Sequence, residues 1–192
     1  MKWLNKVFKK PTNKTAADDR WRYGYEAFIS GKECYKKRNF KDALNFFDEA
    51  IDNGYNDANV FYYRAGCLDD LEYYPEAIGD YDKAISIDSH KANVYYARYL
   101  AKFAIGDWAG GINDLKDAIS ISKQINGNSK FWNEYAESTG YESATARYEL
   151  DLTTAEQARE HYQNLESGMY GISQNEQERR LKIQILKNKR RK

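Results

Sequence analysis

A period of 34 residues runs through the middle of this chain and limits what it can fold into. Ala43, Ala77 and Gly111 are 34 apart. So are Phe47, Tyr81 and Leu115, and so are Ala50, Ala84 and Ala118, each followed by an isoleucine, Ile51, Ile85 and Ile119. A fixed period of this length marks stacked helical hairpins, in which no single unit can bury its apolar face without its neighbours. Such an array is curved and offers a groove to other chains, so the period bears on function as well as on fold.

Aligned on the period, the units are residues 24–57, 58–91 and 92–125. Each holds two apolar stretches of helical spacing around a polar turn, near Arg38–Asn39, Glu72–Tyr73 and Gly106–Asp107. An aromatic follows each turn: Phe40, Tyr74 and Trp108. Pro75 stands just inside the second helix of its unit, where a missing N–H costs nothing. The whole chain has only two prolines and twelve glycines, so long helices can run uninterrupted. Apolar residues at 42% and charged residues at 31% describe a globular chain, not a disordered one.

These residues resemble the tetratricopeptide repeat (TPR) family over roughly half of the chain. The resemblance rests on the small residue late in the first helix (Gly31, Ala65), the small residue on the packed face of the second (Ala43, Ala77, Gly111) and the small residue where adjacent helices approach (Ala50, Ala84, Ala118). The third unit departs from the pattern with Tyr99 in place of a small residue, and Tyr55 and Ser89 replace the proline that often ends a repeat. The resemblance implies an all-α fold: a right-handed α-solenoid of three TPR helical hairpins with additional C-terminal capping helices. It also implies that the first helix of each unit lines a concave face. One lining position then holds Phe28, Tyr62 and Tyr96, a second Tyr25, Asn59 and Asn93, and a third Tyr35, Asp69 and Phe103. Aromatic rings give contact area at low entropic cost, and asparagine can bond a guest's backbone in both directions. The alternative is that the rings fill space between repeats. Some TPR arrays hold a chaperone's C-terminal carboxylate through five Lys, Asn and Arg positions. Here those positions fall on Phe28, Lys32, Tyr63, Asn93 and Ala97, of which only Lys32 is basic. That clamp is absent from this chain.

The net charge of +1 hides an uneven distribution. Residues 1–14 carry five lysines and no acid, and residues 176–192 carry eight Lys/Arg against Glu176 and Glu178. The body between them is acidic, so the ends can meet anionic lipid, nucleic acid, a partner's acidic patch or the body itself. In residues 1–10, Trp3, Leu4, Val7 and Phe8 fall on one helical side and Lys2, Lys6, Lys9 and Lys10 on the other, with Pro11 closing the segment. A basic amphipathic segment of this kind suits an anionic membrane surface. Docking on this protein's own body or on a partner is the competing reading. Nothing beside the C-terminal KNKRRK reads bases, which argues against nucleic acid.

Residues 12–23 read as a helical run-in, with Thr15 placed to cap a first helix that extends to about Lys37. After the breaker at 126–129, Phe131, Trp132, Tyr135 and Ala136 have helical spacing and resemble the first helix of a degenerate fourth unit. Thr153 with Glu156 has the pattern of a capping box, predicting a helix that starts there, carries Ala155, Ala158, Tyr162 and Leu165 on one face, and ends at Gly168. Residues 126–168 are therefore read as a degenerate fourth unit or capping helices. Ser173 with Glu176 predicts a last, basic helix within 169–192, with Leu181, Ile185 and Leu186 as its apolar stripe.

No catalytic grouping is visible. His90 and His161 lack partners at ligand spacing, Cys34 and Cys67 have neither metal-like nor redox spacing, and no glycine-rich phosphate loop occurs. No apolar run is long enough for a membrane span. The reading is a non-catalytic, cytoplasmic adaptor with no cofactor or metal, holding a peptide or helix of another protein in its concave groove. The alternatives are a peripheral membrane adaptor tethered by residues 1–10 and an assembly subunit that uses its C-terminal helix.

Overall fold

The computed structural model describes residues 16–124 and 130–164. The expected N-terminal segment, the Thr15 cap and the basic C-terminal helix lie outside them. Eight helices occur among the described residues: α1 (Ala16–Lys36), α2 (Phe40–Asp52), α3 (Ala58–Asp70), α4 (Tyr74–Ile87), α5 (Ala92–Ile105), α6 (Trp108–Gln124), α7 (Lys130–Ser138) and α8 (Ala144–Asn164). The first six pair as hairpins α1–α2, α3–α4 and α5–α6, and each hairpin stacks on the next. The first helices of successive hairpins make closer mutual contact than the second helices do. The stack therefore curves with α1, α3 and α5 on its inner side.

The turns inside the hairpins share one geometry. One or two positions past each first helix a residue lies in the left-handed region: Arg38 at φ 58°, Glu72 at φ 68° and Gly106 at φ 87°. At each turn its N–H reaches back three residues and the next N–H reaches back five, as in Asn39 to Cys34, Tyr73 to Leu68 and Asp107 to Lys102. This double closure satisfies carbonyls that the helix end leaves free. Gly54, at φ 83°, closes α2 in the same way. The helix starts differ. Asp57 caps α3 by accepting from the Asn59 N–H at 2.7 Å, Asp107 accepts from the Gly110 N–H at 2.9 Å, and Pro75 sits in the first turn of α4.

The periodic residues form the core. Ala43, Phe47, Ala50, Ala77, Ala84, Leu115 and Ala118 have no exposed surface. The bulky Tyr99 is buried as well, and its space comes from Gly111. A Cβ at Gly111 would lie 2.8 Å from the Phe103 ring and 3.3 Å from the Tyr99 ring. The large residue and the missing one thus compensate each other across the α5–α6 contact.

A second periodic set is ionic. Arg64 on α3 bonds both carboxylate oxygens of Asp80 on α4, at 2.6 and 2.7 Å, and Asp48 on α2 at 2.7 Å. One period later, Arg98 on α5 bonds Asp114 on α6 and Asp82 on α4. Each guanidinium thus ties its own hairpin together and also ties it to the preceding one. In the first unit the corresponding Arg and Asp positions hold Ser30 and Phe46.

Residues 130–164 correct two expectations. The helix that packs on α6 as α3 packs on α2 is α8, not α7, which contacts mainly α8. And α8 begins at Ala144, capped by the Ser143 hydroxyl, which accepts from the Ala146 N–H at 3.1 Å. It runs straight through Thr153. The Thr153 and Thr154 hydroxyls donate to the carbonyls of Glu149 and Leu150 inside the helix, so the expected capping box is unused. Burial of Ala144, Tyr148 and Ala155 beside α5 and α6 outweighs that local signal.

Candidate functional site

The inner side of the stack is built from α1, α3 and α5, and the residues expected to line it have separate fates. Tyr25 is half-buried and stacks on Trp21 at 5.8 Å, with Tyr55 edge-on to both. The tyrosine that stands where a repeat often ends in proline therefore closes an aromatic cluster at the N-terminal end. Burial pushes the Tyr55 phenol up to about 12. Tyr35 is half-buried between Phe40 and Tyr63, and Gly66 makes room for it, since a Cβ there would lie 3.0 Å from its hydroxyl oxygen. Tyr62 is half-buried at the middle of the row, in edge contact with Tyr63 at 5.4 Å. Burial pushes its phenol up to about 12, against the opposing effect of a hydrogen bond with Asn93. Lys32 lies over two rings, 5.4 Å from Phe28 and 5.3 Å from Tyr63, as a cation held by π faces.

Other expected lining residues are committed elsewhere. Phe28 and Phe103 are only 5% and 8% exposed and belong to the core. Phe28 packs on Phe47 and Tyr55, and Phe103 on Tyr99 and Trp108. The asparagines are engaged too: Asn59 donates to Asp57 at 2.6 Å and accepts from Lys91 at 2.9 Å, while Asn93 meets Tyr62. Asp69 is half-buried, and its charge helps raise the phenols of Tyr62 and Tyr81.

Tyr96 is covered by the chain itself. Its ring stacks on Tyr148 of α8 at 4.6 Å, its hydroxyl donates to Asp151 at 2.6 Å, and the Arg147 Nε donates to its oxygen at 3.1 Å. The Arg147 guanidinium lies between three rings, 5.4 Å from Tyr96, 5.7 Å from Tyr135 and 5.4 Å from Tyr141. This cage fastens α5, α7 and α8 together and closes the inner face at its C-terminal end. The stretch that this cage does not fasten is the part spanned by Tyr25, Lys32, Tyr35, Tyr62 and Tyr63, all half-buried. Sequence reasoning missed the cage, because Arg147, Tyr135 and Tyr141 stand outside the 34-residue period. The Arg64 and Arg98 ties, by contrast, could have been found from the 34-residue spacing of Arg64 and Arg98, Asp48 and Asp82, and Asp80 and Asp114.

Among the described residues no group of His, Cys, Asp and Glu is placed to hold a metal ion, and no helix is long and apolar enough to cross a membrane. Cys34 and Cys67 are unpaired thiols, and burial pushes Cys67 up to about 12.

No family model matches the sequence, and no curated protein does. Solved structures do. The TPR2B domain of yeast Sti1, solved as a complex with pHsp70, is 25% identical and superposes with a TM-score of 0.58, over 71% of this chain and 98% of that one. The first TPR domain of human RPAP3 is 14% identical, with a TM-score of 0.59 over 75% of this chain and 98% of that one. PcrH, solved in complex with the chaperone-binding region of PopD, is 16% identical, with a TM-score of 0.59 over 70% of this chain and 92% of that one.

Proposed function

We propose that this chain, a tetratricopeptide-repeat protein by its period, its helix pairing and its structural neighbours, is a non-catalytic adaptor that holds a segment of another protein against its inner face. The observation that carries the reading is the row of half-exposed rings on α1 and α3, at Tyr25, Tyr35, Tyr62 and Tyr63, with Lys32 among them. These side chains are fixed by one another and by the core, so a guest meets a preorganised surface and little side-chain entropy is lost on binding. The N-terminal two hairpins are the binding part. The C-terminal end is closed by α8, with Tyr96 beneath it. The yeast Sti1 domain was solved with a protein guest, which accords with this use of the fold.

The test is selection of a displayed library of random linear peptides on the immobilised chain. Selected peptides should lose affinity about tenfold or more on Tyr62→Ala, since a central aromatic contact is worth on the order of 2 kcal/mol. They should be indifferent to Lys83→Ala on the outer helix α4, where Lys83 is exposed. Peptides that bind Tyr62→Ala and Tyr35→Ala as well as they bind the parent chain, with helicity unchanged, would show that the rings are packing and that the inner face is not the site.

A further inference from the structure

The described residues carry 26 Asp and Glu against 17 Lys and Arg, a net of −9, yet one place on them is basic. Residues 32–42, at the first hairpin turn, hold Lys32, Lys36, Lys37, Arg38 and Lys41 against Glu33 and Asp42. Lys36 is paired with Glu33 at 2.8 Å, and Arg38 reaches Asp70 at 3.4 Å and lies over the Phe40 ring. Among the described residues, Lys32, Lys37 and Lys41 have no carboxylate within ion-pair distance. Lys36 and Lys37 suit the negative C-terminal end of α1. Lys41 does not have that explanation: it stands in the first turn of α2, at the positive end of a helix, where a cation is disfavoured. Helix chemistry alone thus leaves part of the cluster unaccounted for.

We propose that this turn is the docking surface for an acidic stretch of the guest, whose apolar part lies on the Tyr35, Tyr62 and Tyr63 rings. The inference rests on the inner face being the binding site and adds the guest's charge and direction. Lys32 links the two parts, since its ammonium lies over the Tyr63 ring while its helix carries the cluster. The chain's own ends are excluded as occupants by sign: residues 1–14 hold five lysines and no acid, and residues 176–192 hold eight Lys/Arg against two Glu. A flat anionic membrane is disfavoured because the next turns along the same edge are acidic, with Asp69, Asp70, Glu72 and Glu76 at the second and Asp107 at the third. Of these carboxylates Asp70 reaches the first turn, where Arg38 already holds it at 3.4 Å, so a short acidic segment there meets less negative charge than a flat surface spanning all three turns.

The experiment uses fluorescein-labelled pools of random peptides with an all-glutamate, all-glutamine or all-lysine flank, titrated with the full chain and read by anisotropy. The glutamate pool should bind about tenfold tighter than the glutamine pool, as expected for a few exposed ion pairs, and the advantage should shrink as salt rises. In Lys37→Gln with Lys41→Gln the two pools should bind nearly alike. Both side chains are exposed and have no ion-pair partner among the described residues, so that variant keeps the fold, which circular dichroism checks. Equal binding of glutamate and glutamine pools to the parent chain overturns the acidic-guest proposal, while loss of that binding in Tyr62→Ala keeps the inner-face reading. Failure of every pool overturns both. Phosphatidylserine vesicles that bind the parent chain but not the double variant, with the peptide preference unchanged, would assign the cluster to a membrane and overturn the proposal.

Discussion

At the scale of the residue, three turns ask for a left-handed backbone and only one has glycine. Gly106 adopts φ 87° freely, while Arg38 and Glu72 hold φ 58° and 68° with a Cβ attached. Arg38 has a return in its contacts with Asp70 and Phe40. Among the described residues Glu72 makes no side-chain hydrogen bond or ion pair that would offset its strain. Glu72→Gly should therefore stabilise the chain by up to about 1 kcal/mol, the relief of left-handed strain less the entropy glycine loses on folding. Arg38→Gly should gain less or nothing. Urea midpoints of the two variants test this, and a lower midpoint for Glu72→Gly would show that its side chain contributes more than its strained backbone costs. Gly111 is the opposite case. A methyl there meets buried rings at 2.8 and 3.3 Å, so Gly111→Ala should cost about 1–3 kcal/mol of stability through overpacking and lower the midpoint accordingly. Both Gly111 and Tyr99 were visible in the sequence as departures or small positions. That one makes room for the other needs distances that a repeat alignment does not contain.

At the scale of the element, the two arginine ties give a comparison within one molecule. Among the described residues Arg64 alone bonds Asp80, whereas Asp114 is held by Arg98 and also by Lys102 at 2.9 Å. Arg64→Met should then cost about 2–3 kcal/mol by leaving a nearly buried carboxylate without its cation, and Arg98→Met distinctly less. Equal losses would mean that Lys102 does not support Asp114. Ala84, with no exposed surface, should not tolerate bulk, and Ala84→Leu should cost about 1–3 kcal/mol of stability, read as a lower denaturant midpoint. The six paired helices were legible because apolar spacing, small residues and turn residues all recur at one interval. The start of α8 was not. Thr153 and Glu156 have the local signature of a helix start, but each threonine hydroxyl finds a carbonyl four residues back, and the segment before them is held by Tyr148 against Tyr96. Tertiary packing decided what local capping chemistry left ambiguous.

At the scale of the whole molecule, the seventeen tyrosines join fold and site. The sequence places the aromatic row on the first helices of the hairpins, where Tyr25 and Tyr35 on α1 and Tyr62 on α3 are half-buried. It could not show that Phe28 and Phe103 turn inward, or that α8 covers Tyr96, because both depend on which neighbour fills the space beside a ring. The same burial sets how stability responds to alkali. The phenols of Tyr55 and Tyr62 are pushed by burial from 10.0 up to about 12, and those of Tyr35, Tyr81, Tyr96, Tyr99 and Tyr148 are raised as well. A raised acid binds its proton more tightly in the folded state. Below pH 10 these phenols are neutral whether the chain is folded or not, and their contribution is constant. Above pH 10 the unfolded chain loses protons first, so stability falls as pH rises toward 12 and beyond. The urea midpoint should be flat below this window and drop steeply within it. Tyr55→Phe with Tyr62→Phe keeps the rings and removes two of the titrating groups, so the double variant should lose stability less steeply with pH. A parent chain whose midpoint stays flat through the window, or a double variant as pH-sensitive as the parent, would mean that these hydroxyls are hydrated in solution and that the inner face is more open than the packing of its rings implies.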